Sequence, residues 1–410
     1  MNDSTFDYII VGAGTAGCLL ANRLSADASK RVLLIEAGKR DDYHWIHIPV
    51  GYLYCIGNPR TDWLYETEAA AGLNGRTLRY PRGKVLGGCS SINGMIYMRG
   101  QSRDYNQWAA ITDDPQWRWD QCLPYFKFHE DHHQGATETH GAQGVPAALL
   151  NPQAHDDAAS AEYFRILKAR KAGGEWRIEK QRLSWGVLDA FAQAAQQAGV
   201  PASNDFNQGN NEGVGYFEVN QKSGWRWNTA QAFLRPTCYA RPNFELWTQA
   251  QVAGLVIETD ADGGKRCTGV KVWDGQQLVT ATATREVALS AGSIGSAQIL
   301  QLSGIGAAQS LKQNGVDVVH DLPGVGANLQ DHLQIRSVYK VKHAKTLNTL
   351  ANSWWGKAKI GLEYAMSRSG PMSMAPSQLG AFTKSDAARE WANIQYHVQP
   401  LSLDAFGEPL

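Results

Sequence analysis

The stretch that most constrains this chain runs from Phe6 to Glu36, FDYIIVGAGTAGCLLANRLSADASKRVLLIE. Tyr8 to Val11 is a short apolar run of strand formers, and Gly12, Gly14 and Gly17 follow it in the spacing G-x-G-x-x-G, where a strand must turn sharply into a helix. Gly12 permits the turn. Gly14, without a Cβ, lets a pyrophosphate approach the backbone, and Gly17 lets a helix from Thr15 to Ala26 pack closely on the strand. The phosphates would sit at that helix's N-terminus, where unpaired N–H groups and the positive dipole end favour anions. A second strand, Arg31 to Ile35, ends at Glu36, 19 residues after Gly17. That position suits a carboxylate accepting hydrogen bonds from both ribose hydroxyls, and it disfavours a 2′-phosphate. Glycines also mark ordinary turns. Strand, glycines, helix, second strand and acid in this order point to an adenine dinucleotide, without saying which one.

The 410 residues suffice for two or more domains with substantial cores. Basic and acidic side chains balance at 39 each, so the chain as a whole has no general attraction to nucleic acid or to an anionic membrane. The six cysteines, Cys18, Cys55, Cys89, Cys122, Cys238 and Cys267, show no C-x-x-C pairing, which argues against a zinc site or a disulfide framework. MNDSTFDY enters the first strand at once, leaving no room for a signal peptide, and no apolar run approaches a membrane span. The expected setting is soluble, reducing and cytoplasmic, with no transmembrane segment and with peripheral contact at the inner membrane as the alternative. The 14 Trp and 15 Tyr, against a charged fraction of 19%, suggest aromatic surfaces around a pocket or, more simply, a large core.

Tyr80 to Tyr105, YPRGKVLGGCSSINGMIYMRGQSRDY, holds Gly83, Gly87, Gly88, Gly94 and Gly100 with Cys89, Ser90 and Ser91 between them. Such a run lets a backbone follow a flat ligand and aim N–H donors at it, or else forms a flexible glycine loop. The stretch resembles the first signature of the glucose-methanol-choline (GMC) flavin oxidoreductases: Gly83 to Asn93, GKVLGGCSSIN, then Tyr97 and Gly100. A second family stretch is GSIGSAQILQLSGIG, Gly292 to Gly306, with Ala297 where the family usually has Pro or Ser. A third is LPGVGANLQDH, Leu322 to His332. The resemblance extends from about Phe6 to Gln399 and is nearest to the choline and aliphatic alcohol dehydrogenase branch.

The resemblance implies that the dinucleotide is FAD. It places Gly12, Gly14, Thr15, Ala16 and Gly17 on the pyrophosphate side and Glu36 and Ala37 at the adenosine ribose. Asn93, Gly94, Met95 and Ile96 would run along the isoalloxazine, and Val252, in ELWTQAQVAGLVIE, would meet the adenine through its backbone. Ala291 and Gly292, ending the alternating strand EVALSAG, would close over the dinucleotide, with Trp63, Leu86 and Gly88 completing the cofactor set. For Val252 an ordinary core role is satisfied at the same time. Ile92 stands where covalently flavinylated relatives have histidine, so the FAD is expected to be non-covalent.

Two departures from the family matter. Residues 143–172 form an insertion between His140-Gly141-Ala142 and Gly174-Glu175-Trp176-Arg177. Asp156 and Asp157 lead its helical stretch, Lys168, Arg170 and Lys171 trail it, and Phe164 and Leu167 share a face, as in a surface helix. It is decoration or, as the sharper alternative, a docking surface for an electron acceptor or membrane. Second, the family's catalytic histidine segment is expected beyond Leu410, and none of the 11 histidines here sits in its context. His129, His132 and His133 in KFHEDHHQG have a faintly metal-like spacing without matched further ligands, so no metal is expected. His332, in the QDH stretch, reads as a structural hydrogen-bonding residue.

The expected fold is α/β with an α+β second domain: a doubly wound FAD-binding domain (1–142 and 215–330), the insertion, and a discontinuous substrate-binding domain (173–214 and 331–410). Trp354-Trp355 and 370–382 would line or cover the pocket, or simply pack within their domain. The implied reaction is oxidation of an alcohol to an aldehyde or ketone by hydride transfer to flavin N5, with a histidine base taking the hydroxyl proton. The electron acceptor, oxygen, quinone or another, stays open. A hydroxynitrile lyase of the same fold and a non-catalytic FAD-binding fragment are the alternatives. A nicotinamide dehydrogenase would leave the GMC stretches unexplained.

Overall fold

The computed structural model describes residues 4–141 and 173–402. The expected insertion helix of 143–172 lies outside the described residues. In chain order the elements used below are β1 (Ser4–Val11), α1 (Thr15–Leu24), β2 (Val32–Glu36), α2 (Ser102–Thr112), α3 (Trp119–His129), β3 (Glu130–His132), β4 (Trp176–Lys180), α4 (Gly186–Gln197), β5 (Gly213–Tyr216), β6 (Glu218–Val219), β7 (Phe244–Thr248), β8 (Gln251–Thr259), β9 (Lys265–Trp273), β10 (Leu278–Leu289), α5 (Gly292–Leu302), α6 (Trp354–Ser367), β11 (Leu379–Thr383) and β12 (Ile394–Val398).

The chain divides into two compact units. The first, Met1–Asp42, Gly57–Ile92 and Thr229–Ser337, is built on a six-stranded sheet in the order β7-β2-β1-β10-β9-β8. The four strands β7, β2, β1 and β10 are parallel, and β10, β9 and β8 form an antiparallel meander. All five residues of β2, VLLIE, are buried, the pattern of a central strand covered on both faces. Its core gathers Phe6, Ile9, Val11, Leu33, Ile35, Trp247, Val270, Val272 and Ala281, with Phe6 and Trp247 edge to face at 6.1 Å. Fully burying each large apolar side chain of this set stabilises by about 1.5–3 kcal/mol. Helix α1 stops at Leu24, two residues before the expected Ala26, because Ser25 caps it and folds its own hydroxyl onto the Ala21 carbonyl (2.6 Å).

The second unit comprises Tyr43–Ile56, Asn93–Asn228 and Val338–Leu410. Among its described residues are a three-stranded antiparallel sheet, β12-β11-β5, and a three-stranded mixed sheet, β3-β4-β6. Its largest core joins Tyr52, Leu53, Trp185, Leu188, Val214, Met374 and Leu379. The boundaries differ from those drawn on the sequence: 43–56, 93–141 and 215–228 belong here rather than with the cofactor domain. Strand pairing explains it, since β5 pairs with β11, β3 with β4, and the Tyr97 N–H bonds the Glu218 carbonyl (2.9 Å). Of the stretch 370–382, all but Met372 and Pro376 are buried, so it packs as core. Trp354 and Trp355 do not pack with it; both are exposed.

Candidate cofactor site

The turn from β1 into α1 is dictated by close backbone approaches. Gly12 has φ +96°, and a Cβ there would meet the Ser290 carbonyl oxygen at 2.6 Å. A Cβ on Gly17 would stand 1.9 Å from the Gly12 carbonyl oxygen, so the helix can lie this close only with glycine. Gly14 differs. Its nearest neighbours, Gly88 Cα and Ser290 O, would be 4.0 Å from an added Cβ. The surrounding chain therefore leaves room beside Gly14, and that room belongs to a cavity.

The cavity, about 630 Å³, lies in the first unit and falls within the usual size range of small-molecule sites. Two helices begin on it. Thr15 and Ala16 open α1; Gly292, Ser293 and Gly295 open α5. Neither helix has a side-chain N-cap or an acid in its first turn, so the N–H groups at both ends retain their affinity for an anion. Arg82 is also among the lining residues.

Glu36, at the end of β2, is 5% exposed and also lines the cavity. Its Oε2 accepts the Ala13 N–H (3.0 Å) and its Oε1 the Gly38 N–H (2.8 Å), tying β2 to the glycine turn. Burial pushes its carboxyl up to about 7 against the opposing pull of those two N–H groups and of Lys84. The turn between β7 and β8 is tied to the same place: Ala250 N–H bonds the Glu36 carbonyl (3.0 Å) and Gln249 N–H the Gly38 carbonyl (2.8 Å). That brings Val252 to the cavity wall while its side chain stays in the core.

Of the residues expected at the cofactor, Gly12, Gly14, Thr15, Ala16, Glu36, Ala37, Trp63, Gly88, Val252, Ala291 and Gly292 line this one cavity. Gly17 and Leu86 stand behind it; Leu86 is fully buried and donates its N–H to the Lys39 carbonyl (2.9 Å). Asn93, Gly94, Met95 and Ile96 are in the second unit and are not part of the lining. There they form a rigid turn. Asn93 Oδ1 accepts the Met95 N–H (3.0 Å) and Arg226 Nη1 (2.9 Å), and Met95, 1% exposed, holds φ +59°, a left-handed conformation unusual for a side chain of its size. Sequence reading missed Arg82, Ser290, Gln251 and Gln298 in the lining. Each had a local signal: Arg82 directly precedes the first family stretch, Gln251 precedes Val252, and Ser290 and Gln298 flank or fall in the second family stretch.

A buried titratable network in the second unit was also missed. Glu130 accepts from Arg99, from the Tyr97 hydroxyl, from His140 Nδ1 (3.2 Å) and from the Gly141 N–H (3.2 Å). His140 Nε2 bonds Asp205 Oδ2 (2.9 Å), and its ring stacks on His132 at 3.8 Å. Burial works against charge on His140, but its bonds to Asp205 and Glu130 prevail and raise it to about 9. The metal-like spacing acquires a partner the sequence did not show: Glu218 lies against His132 and His133, whereas His129 is not in the group. His132 Nδ1 accepts the Gln134 N–H (3.3 Å), and its Nε2 lies 3.1 Å from Glu218 Oε1.

The cavity suits the adenosine diphosphate part of a dinucleotide: two anion-binding helix ends, a glycine that leaves room for phosphate, and a carboxylate within reach of a ribose. Residues 6–334 match the family model described as GMC oxidoreductase. The chain is 38% identical over 403 residues to the oxygen-dependent choline dehydrogenase of Vibrio vulnificus, covering 98% of this chain and 66% of that one. It is 37% identical to the alcohol dehydrogenase [acceptor] of Pseudomonas putida, covering 99% and 67%. This chain thus spans about two thirds of the length of these relatives. Among solved structures, the FAD-dependent oxidoreductase of Chaetomium thermophilum matches with a TM-score of 0.73 and 26% identity over 92% of this chain and 62% of its own. Family stretches, cavity and comparisons agree, and the chain belongs to the GMC oxidoreductase family.

Proposed function

We propose that this chain carries the FAD platform of an enzyme that oxidises an alcohol to an aldehyde or ketone, with the choline and alcohol of its relatives' names as the substrate classes. The observation that carries the reading is the meeting of two uncapped helix N-termini, the open side of Gly14 and the Glu36 carboxylate in one cavity. FAD, when bound, supplies the hydride acceptor. Gly14, Thr15, Ala16 and Gly292 then hold the pyrophosphate by backbone N–H groups, Glu36 the ribose, and the Val252 backbone the adenine. Asn93, Gly94, Met95 and Ile96 are assigned the flavin ring on the family resemblance, supported by the rigidity that Arg226 gives their turn. On the family resemblance, and since the chain spans about two thirds of its relatives' length, the base is proposed to come from polypeptide outside these 410 residues.

Anaerobic bleaching of bound FAD by choline or a primary alcohol tests this. The expected result is slow or absent bleaching in the 410-residue chain and fast bleaching once the polypeptide that the Vibrio relative carries outside its aligned region is supplied. A positioned base contributes about 10²- to 10⁴-fold. Equal rates would place the base within these residues, and no bleaching in either form would overturn the oxidoreductase reading.

A further inference from the structure

Glu218, on β6 in the second unit, is a buried carboxylate with half of its bonding capacity unused. Its side chain is 4% exposed, and Oε1 meets His133 Nε2 at 2.7 Å and His132 Nε2 at 3.1 Å. Oε2 is buried with no hydrogen-bond partner among the described residues. Leaving a buried carboxylate oxygen in that state is costly, so the position calls for a cation or a donor. A carboxylate oxygen of Glu218 lies within 4.8 Å of both a ring nitrogen of His140 and a carboxylate oxygen of Asp205. His140 Nε2 in turn is 2.9 Å from Asp205 Oδ2. Nitrogen and oxygen atoms that share one metal ion at bond lengths of about 2.0–2.2 Å stand about 3–3.5 Å apart, and these three atoms bracket that spacing.

The groups behind the three atoms are also in place. His140 Nδ1 faces Glu130 Oε2 (3.2 Å), and Arg99 lies beside the same nitrogen (3.0 Å) and shares Glu130. A ring whose Nδ1 proton rests on a carboxylate offers its Nε2 lone pair to a metal. Charge points the same way. The carboxylates of Glu130, Asp205 and Glu218 face the Arg99 guanidinium and, with His132 and His133 neutral, the His140 imidazolium alone, which leaves one negative charge over. A divalent ion in place of the His140 Nε2 proton brings the cluster to balance. A cavity of about 570 Å³ lined by Ser203, Asn204 and Glu218 adjoins the cluster and gives an ion a way in. We propose that His140 Nε2, Asp205 and Glu218 bind one divalent transition-metal ion, zinc or manganese. One imidazole with two carboxylates favours these ions over Mg²⁺ and over Cu(I). Metal-free, the protein keeps the ion-paired arrangement described above. With the ion bound, three segments far apart in sequence are braced, among them β6, whose Glu218 carbonyl holds the Tyr97 N–H (2.9 Å).

Adding Zn²⁺ or Mn²⁺ to protein that has been incubated with FAD and stripped with EDTA, then reading metal content after gel filtration together with Tm, tests the proposal. Close to one ion per chain and a raised Tm are expected. Glu218→Gln keeps the size of the side chain but removes its charge, and should weaken metal binding by more than about 100-fold. His133→Asn alters a residue that touches Glu218 without holding the ion, and should weaken binding only about 10- to 100-fold. Both variants should behave as the unaltered chain does toward FAD, because neither residue lines the cofactor cavity. Asp205→Asn repeats the ligand test should Glu218→Gln fail to fold. No uptake of either ion, or uptake unchanged in Glu218→Gln and Asp205→Asn, would overturn the proposal. A loss in His133→Asn as complete as in Glu218→Gln would overturn it too, by moving the ion to His132, His133 and Glu218.

Discussion

Gly14 and Gly88 meet backbone to backbone: a Cβ on Gly88 would stand 2.7 Å from the Gly14 Cα. Two glycine-rich stretches more than 70 residues apart thereby form one wall of the cavity.

The two glycines should fail differently. Gly88→Ala adds a Cβ against fixed backbone at φ +54° and should cost about 1–3 kcal/mol of apo-protein stability, read as a lower Tm. Gly14→Ala meets nothing closer than 4.0 Å and should leave the apo Tm nearly unchanged, while FAD affinity falls at least tenfold because the methyl occupies the phosphate's place. An equal drop in apo Tm for both variants would make Gly14 a turn residue only.

Glu36 should reveal two duties. Glu36→Ala deprives the Ala13 and Gly38 N–H groups of their acceptor and should lower the apo Tm. It should also weaken FAD binding by about 1.5–3 kcal/mol, the range for hydrogen bonds to a charged group. Since burial raises the carboxyl to about 7, FAD should bind more tightly as pH rises from 5.5 to 8, in a titration followed by flavin fluorescence. Unchanged affinity in Glu36→Ala would leave Glu36 as a brace for the turn.

The His140 network should set a stability plateau. His140 is raised from 6.5 to about 9, so its contribution is complete below 6.5 and is lost as pH climbs through 9. Glu130 and Asp205 are lowered to about 2, because the bond to His140, joined by Arg99 at Glu130 and by the Asn207 N–H and Gln208 at Asp205, outweighs their burial, so their contribution is complete above about 4.5 and is lost toward pH 2. The alkaline loss should be on the order of 3 kcal/mol. Thermal melts of His140→Gln should lack that alkaline limb. An unaltered limb would assign it to other groups.

The cofactor cavity was largely legible in the sequence because its parts are local: strand, glycines and helix within thirty residues, then short glycine-rich stretches that carry their own geometry. What decided the rest acts over long separations. The parallel pairing of β1 with β10 joins residues about 275 apart, and no local period announces it. The compact units differ from the expected boundaries at 93–141 for the same reason, since β3–β4 pairing and the Tyr97–Glu218 bond tie that stretch to distant residues. Glu218, which gives His132 and His133 their partner, is 85 residues from His133. Trp354 and Trp355 could be read as pocket or core from composition alone; only the packing of Tyr364 on the opposite side of α6 shows that they face out.

The central claim is that these 410 residues build an FAD site around Gly14, Glu36 and the two helix ends. The direct measurement is the absorption spectrum and cofactor content of the purified chain after incubation with FAD and removal of the excess. A flavin spectrum near one FAD per chain is predicted, with the yellow colour passing into the supernatant on acid precipitation, since Ile92 offers no atom for a covalent link. A chain that retains no flavin, or that takes up a nicotinamide dinucleotide in preference to FAD, would contradict it.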